Sequence, residues 1–167
     1  RKGYKGTGHG YPVECDNYLS KLSILPVEIR DINFETLGFS NNITEVHKSN
    51  IVNYHALATD GGVWSDMDII YFKGIDNLDV NKPENRDIEA FVCIGFYGHS
   101  GGFYMSCANN QYFKKLLSLC PSEYKEGVYQ CLGPDLCNKH FKTIDLVKAV
   151  CPTVDLGMDA VYAHDAY

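Results

Sequence analysis

The hydrophobic positions between residues 45 and 72 change from helical to extended spacing. A helix is predicted over about 45–60, because the side chains that can form its buried stripe recur at helical intervals. They are Val46, Ile51, Tyr54, His55 and Ala58. Gly61-Gly62 is expected to end the helix as a glycine C-cap does. Val63 and Trp64 then begin a short strand, and the apolar run 69–72 predicts a second, buried strand.

Further strands and helices are predicted along the rest of the chain. Strands are expected at 27–32, 89–96, 103–106 and within 144–154, and helices at 109–120, from Pro121 onward and at 135–141. Turn-forming residues predict loops at 73–86 and 97–102. The step Gly133-Pro134 separates the last two helical stretches.

Two carboxylates, Asp66 and Asp68, stand one residue apart between the two strands that follow the first helix. Side chains two positions apart in an extended segment point the same way, so both can reach one object. Unpaired carboxylates this close repel each other, and a divalent cation removes that conflict. Oxygen ligands suit a hard ion such as Mg²⁺ or Mn²⁺. The end of a strand is also where ligands bind in open α/β sheets.

The stretch 49–68 resembles the DXD sugar-binding region of GT-A-fold glycosyltransferases, especially family 32 and the clostridial glucosylating toxins. Their pattern is Ser-Asp, two residues, Arg, a helix with Leu, Gly-Gly, an apolar residue, Tyr, one residue and Asp-x-Asp. The positions that carry the resemblance are Ser49, Leu57, Gly61, Gly62, Val63, Trp64, Asp66 and Asp68. Asn50 stands where the family has Asp, and Asn53 stands where it has Arg.

The resemblance implies an α/β fold of GT-A type, a Rossmann-like mixed sheet flanked by helices. It also implies a hexosyltransferase that moves a sugar from a nucleotide-diphosphate donor, a UDP- or GDP-sugar, to a glycan, protein or lipid acceptor.

 The reaction implied by the resemblance is retaining, and its cofactor is Mn²⁺ or Mg²⁺.

The same resemblance assigns roles to individual residues. Asp66 and Asp68 are the catalytic pair: Asp68 would contact the metal directly, and Asp66 would reach it through water or bind the donor. The expected donor-binding residues are Asn50, Asn53, Trp64, Asp66, Gly133 and Pro134. The glycine-rich segment with His99, Ser100 and Gly101 would line the acceptor side of the pocket. His164 would be a third metal ligand beside Asp66 and Asp68.

Length and composition indicate one ordinary globular domain, shorter than a typical domain of the resembled family. The chain has 167 residues, of which 45% are hydrophobic and 22% charged, as in an ordinary globular domain. We expect a flexible segment at 1–17 and one glycosyltransferase-like domain at 18–167. A net charge of −6 argues against a broad nucleic-acid-binding surface. No run approaches the roughly 20 apolar residues of a membrane span. Because the chain starts at Arg1, it is expected to be part of a longer chain or assembly, and the fold to be a truncated version.

Two other interpretations stay open. The uncharged Asn50 and Asn53 would also fit a catalytically weakened module that binds sugars or serves a larger assembly. A nucleotidyltransferase of the polymerase-β type has a similar Asp-x-Asp strand, but it needs a Gly-Ser at a helix start about ten residues earlier.

The seven cysteines are an odd number, so at least one is free or bonds elsewhere. The sequence indicates no compartment.

Overall fold

Helices and strands both occur along the chain in a computed structural model of the protein. The structure describes residues 24–67, 69–72, 82–95, 98–140, 147–150 and 160–162. The helices α1 to α3 are Glu45–Thr59, Gln111–Glu123 and Pro134–His140. The strands β1 to β6 are Gly62–Ser65, Ile69–Tyr71, Ala90–Gly95, Gly98–Ser106, Val147–Val150 and Ala160–Tyr162. The α/β class predicted from the sequence is confirmed.

Four of the strands form a mixed sheet in the order β1-β4-β3-β5. Strand β4 is antiparallel to both of its neighbours, and β5 is parallel to β3. Strands β2 and β6 form a separate antiparallel pair. The sheet is therefore mixed, as expected, and its central pair β3–β4 is a hairpin.

The core lies on both faces of the four-stranded sheet. Alternate residues of a strand point to opposite faces, so Ala90 and Val92 join one buried cluster while Phe91 and Cys93 join the other. The larger cluster also holds the apolar sides of the three helices, and its aromatic rings include Tyr104 and Phe113 with centroids 5.4 Å apart. The helices thus cover one face of the sheet.

Contacts divide the chain into the units Arg1–Ile32 and Asn33–Tyr167. In the first unit, the strand predicted at 27–32 is wrong, because those residues form no strand. The side chains of Val27 and Ile29 are 50% and 73% exposed, so their apolar pattern does not report burial in a sheet. The predicted flexible segment 1–17 lies outside the described residues.

Two predicted boundaries in the second unit are also wrong. Pro121 does not begin a new helix but lies in the last turn of α2, where its missing N–H removes only one helical bond before the helix ends. The predicted loop 97–102 is mostly strand, because β4 already begins at Gly98, opposite Gly95. The run 69–72 does contain β2, but Ile70 and Phe72 are more than half exposed.

None of the helices within the described ranges has the length and apolar character that crossing a bilayer requires.

Candidate functional site

Gly61 makes the turn between α1 and β1, as the sequence predicts. Its φ is +71°, and its N–H donates to the Ala56 carbonyl over 3.1 Å. A Cβ atom at this position would lie 2.5 Å from the Ala108 nitrogen and 2.6 Å from the Cys107 carbonyl carbon. The chain can therefore pass directly against the end of β4 and enter β1 only because residue 61 has no side chain.

Asp66 lies at the end of β1, beside the glycines of β4. Its backbone N–H donates to the Gly102 carbonyl over 2.8 Å, which extends the β1–β4 ladder by one residue. The indole Nε1 of Trp64 donates to Asp66 Oδ1 over 3.3 Å. Trp64 packs against the core cluster that the helices share. The Asp66 carboxylate is thus held by a fixed neighbour on the helical side of the sheet.

The segment after Asp66 is a tight, exposed turn. The Ile69 N–H lies 3.4 Å from the Asp66 carbonyl, and the Ser65 hydroxyl donates to the same carbonyl over 3.0 Å. The Tyr71 hydroxyl in turn donates to Ser65 Oγ over 2.5 Å. Met67 at the tip is fully exposed. The middle of the Asp-x-Asp segment is therefore open to solvent.

The predicted metal ligands can be followed only in part. Asp68 and His164 lie outside the described residues, and Asp66 lies within them. Over the described ranges, no three His, Cys, Asp or Glu side chains come together as a metal site. Asp66 itself offers a half-buried carboxylate at a strand end, and oxygen ligands of this kind fit Mn²⁺ or Mg²⁺.

The Asn50 side chain lies where three separate parts of the chain meet. A Cβ atom at Gly133 would be 3.5 Å from Asn50 Nδ2, and one at Gly101 would be 3.8 Å from Asn50 Oδ1. Asn50 belongs to α1, Gly101 to β4, and Gly133 to the turn before α3. Three of the predicted site residues are therefore neighbours. Because Asp66 bonds to Gly102, the acidic turn lies next to the same place.

Asn53 is one helical turn further along α1 and is almost fully buried. Its side chain is 1% exposed, and its Oδ1 has no hydrogen-bond partner among the described residues. Buried polar atoms nearly always have a partner, so this oxygen is an exception in the core. The structure thus places Asn53 below the surface on which Asn50 lies.

A bulge in β4 carries the glycines of the candidate site. Between the pairs Val92–Tyr104 and Ile94–His99, β3 advances by two residues while β4 advances by five. The extra residues of β4 are accommodated around Ser100-Gly101-Gly102, where the Gly102 N–H donates to Ser100 Oγ over 3.3 Å. Bulges of this kind are common beside active sites, since they re-aim the chain locally.

His99 enters the core rather than the open side of the bulge. It is 7% exposed, and its backbone N–H donates to Asn138 Oδ1 in α3 over 3.3 Å. Burial lowers the pKa of His99, which favours the neutral form of the ring. Of the three residues predicted for the acceptor side, Gly101 is the one that the structure brings next to Asn50.

In the Gly133-Pro134 step, the proline marks the start of helix α3. It is the first residue of α3, a position at which proline is favoured because its N–H would be unused. The Gly133 carbonyl accepts the first helical bond from Cys137 N over 3.1 Å, and the Gly133 N–H donates to Gln130 over 3.0 Å. The helix start is therefore well defined, and it fixes Gly133 against Asn50.

Sequence reasoning missed the buried polar groups beneath this site. Tyr54, Tyr104 and Cys137 are all fully buried, and both tyrosine hydroxyls lie within hydrogen-bonding distance of the Cys137 thiol. In the sequence, these residues occupy positions that a core helix or strand would fill with any large apolar side chain. Only their polar atoms could have singled them out.

The described part of the chain also contains an open groove of about 570 Å³ on the other side of the sheet. Its floor includes Val63, Phe91 and Met105, and its rim includes Lys82 and Arg86. None of the described residues that line it is a predicted site residue. The chemistry indicated by the sequence therefore points to the Asn50 side of the sheet and not to this groove.

The chain matches no protein-family model, no curated protein and no solved structure. The assignment of a function therefore depends on the residues themselves.

Proposed function

We propose that the protein is a metal-dependent glycosyltransferase of GT-A type. It would move a sugar from a UDP- or GDP-sugar to a glycan, protein or lipid acceptor, with retention of configuration. The observation that carries the proposal is the meeting of Asn50, Gly101 and Gly133 beside the turn that begins at Asp66. These residues come from three distant parts of the sequence; Asn50 and Gly133 were expected to bind the donor, and Gly101 was expected on the acceptor side of the pocket.

The acidic pair would hold the metal. Asp68 would be a direct ligand, with Asp66 close to it or bound to it through water, and His164 is the proposed third ligand. When bound, Mn²⁺ or Mg²⁺ would stabilise the negative charge that grows on the diphosphate as the glycosidic bond breaks. The bond from Trp64 Nε1 would keep the Asp66 carboxylate in one orientation during this step.

The uncharged amide of Asn50 would bind the donor. A carboxamide has both a donor and an acceptor group, so it can pair with the hydroxyl groups of a sugar or a ribose. The glycines on either side of it leave room for a ligand to approach the backbone closely. Asn53 is buried one turn below, so we assign it a supporting role under Asn50 and not direct contact with solvent-exposed ligand groups.

A second candidate is a catalytically weakened sugar-binding or structural module. The observation in its favour is that the two α1 positions charged in the resembled family are both uncharged here, and that one of them is buried. A nucleotidyltransferase is less well supported. Gly61 lies between a helix and a strand, whereas that family requires its glycine at the start of a helix.

The test is donor hydrolysis with a panel of UDP- and GDP-sugars in the presence of Mn²⁺. Thermal stabilisation and sugar release are both measured for the unmodified chain, for Asp68→Ala and for Asp66→Asn. We expect sugar release to fall at least about 100-fold in either variant, because each removes charge stabilisation of the leaving group. Chelation of the metal should have the same effect.

Asp87→Asn is the matched control, since it removes an exposed carboxylate near Pro83–Asn85, outside the candidate site. It should retain full activity. Donor binding without turnover would favour the weakened module, and the absence of any response to every donor in a folded protein would reject the glycosyltransferase.

A further inference from the structure

A buried thiol connects two tyrosine hydroxyls beneath the candidate site. Cys137 Sγ lies 3.4 Å from the Tyr54 hydroxyl and 3.5 Å from the Tyr104 hydroxyl. The Tyr54 hydroxyl also donates to the Leu132 carbonyl over 2.9 Å. All three side chains are fully buried. The thiol therefore joins residues of α1, β4 and α3 in one polar chain.

The direction of these bonds follows from the number of protons. Tyr54 has one hydroxyl proton, which it gives to the Leu132 carbonyl, so it can only accept from Cys137. Cys137 therefore donates its thiol proton to Tyr54 and accepts a hydrogen bond from Tyr104. The bonds therefore run in one direction, from Tyr104 through Cys137 and Tyr54 to the Leu132 carbonyl, and Cys137 and Tyr54 each donate once and accept once.

The groups in this chain remain protonated at neutral pH. Burial, followed by the neighbouring Cys137, holds the pKa of Tyr54 and of Tyr104 well above the usual range of a phenol. Burial also raises the pKa of the Cys137 thiol. A neutral thiol that is both donor and acceptor is what the direction of the bonds requires.

Both ends of this chain adjoin the glycines beside Asn50. Leu132, which accepts at one end, is the residue before Gly133. At the other end, the Tyr104 hydroxyl lies 3.8 Å from the position of a Cβ atom on Gly101. The thiol thus lies under the two backbone segments that flank the Asn50 side chain.

We propose that Cys137 is a positioning residue that holds the Gly101 and Gly133 segments in place around Asn50. The part of this inference that concerns donor binding rests on the proposed function. A buried cysteine is often only a small apolar residue, and Cys120 provides the comparison. It is equally buried and lies in the same core cluster, but it is not part of the chain from Tyr104 to Leu132.

The experiment compares Cys137→Ala, Cys137→Ser and Cys120→Ala by amide hydrogen exchange, which measures local opening. The reporting amides are those of Gly133 and Asp135, both bonded to the Gln130 carbonyl. We expect Cys137→Ala to speed their exchange at least about tenfold relative to Cys120→Ala. Cys137→Ser should restore slow exchange, because a hydroxyl can donate and accept in the same place.

Equal exchange in the two alanine variants, or failure of serine to restore protection, would overturn the proposal. Should Cys137→Ala not fold, Tyr54→Phe tests the link through which the thiol must act on the Gly133 segment, since it removes the donor to Leu132 and leaves the thiol in place. It should also speed exchange at Gly133. Unchanged exchange in Tyr54→Phe would equally overturn the proposal.

Donor affinity supplies a second, separate measurement. We expect Cys137→Ala to raise the KM for the donor about tenfold with a smaller change in kcat, because it loosens a binding surface and leaves Asp66 and Asp68 unchanged. A chain that binds no nucleotide-sugar would reject the proposed function, while the exchange result would still decide the role of Cys137.

Discussion

Gly61 has a left-handed backbone conformation and also packs directly against the backbone that follows β4. Either property alone would favour glycine, and the sequence indicated only the first. The Gly61-Gly62 pair and Asp66 could be recognised because they belong to a local pattern of turn and strand. The polar chain through Cys137 could not, because hydroxyl and thiol groups meet there only after distant segments have packed.

Replacement of Gly61 by alanine should destabilise the protein strongly. A Cβ atom in a left-handed conformation costs about 1–2 kcal/mol, and its overlap with fixed backbone atoms adds about 1–3 kcal/mol. Gly127→Ala is the matched control, since φ is +76° there but no atom lies within 4 Å of the added Cβ. Urea unfolding should show a loss for Gly61→Ala at least about twice that for Gly127→Ala. Similar losses would mean that the segment after β4 can move aside.

At the scale of elements, sequence patterns predicted those parts whose signals are local. The helix α1, the strands β1 and β3 and the helix α3 all lie close to their predicted positions. The errors at Pro121 and at 27–32 have a common cause, because both signals are ambiguous. A proline can lie in the first or in the last turn of a helix, and an apolar run can be buried in a sheet or exposed. The start of β4 was missed because pairing with β3, and not the glycines themselves, decides where that strand begins.

Helix α2 depends on a buried cap that also joins it to Glu89, the residue before β3. The Asn110 side chain accepts from Phe113 N over 3.1 Å and donates to the Glu89 carbonyl over 3.1 Å. Asn110→Ala should cost about 2–3 kcal/mol, because it removes a cap and leaves buried groups unpaired. The control is Asn33→Ala, which removes the exposed cap of the short helix Phe34–Leu37 and should cost under about 1 kcal/mol.

Chemical denaturation of both variants measures this difference. An equal and small loss in the two would show that the bond from Asn110 to Glu89 adds nothing to the stability of α2.

At the scale of the whole molecule, the sheet buries cysteines on both of its faces. The class of fold could be predicted, but the order β1-β4-β3-β5 could not, because the parallel pairing of β3 with β5 joins segments more than 50 residues apart. No local pattern specifies such a pairing. The GT-A assignment remains a prediction, and so does the proposed metal site, of which Asp68 and His164 lie outside the described residues.

The cysteines give a direct test of this core. Among those in the described residues, Cys107 is exposed, whereas Cys93, Cys120, Cys131 and Cys137 are buried. In a brief reaction of the native protein with a thiol reagent, we expect Cys107 to be labelled first. The four buried thiols should react only as the protein unfolds, and peptide mass spectrometry can measure each site. Rapid labelling of Cys93 or Cys137 in the native state would contradict the described core.

Because of the bulge in β4, the length of the segment Ser100-Gly101-Gly102 need not determine how β4 pairs with β3. Pairing with β3 resumes on both sides of Ser100-Gly101-Gly102, so a residue gained or lost there need not turn the remaining side chains to the opposite face. The strand can thus change the surface beside Asn50 while the core residues Tyr104 and Val92 stay paired. If the proposed function holds, a change of length in this segment should alter the preference for donor or acceptor without redesign of the fold.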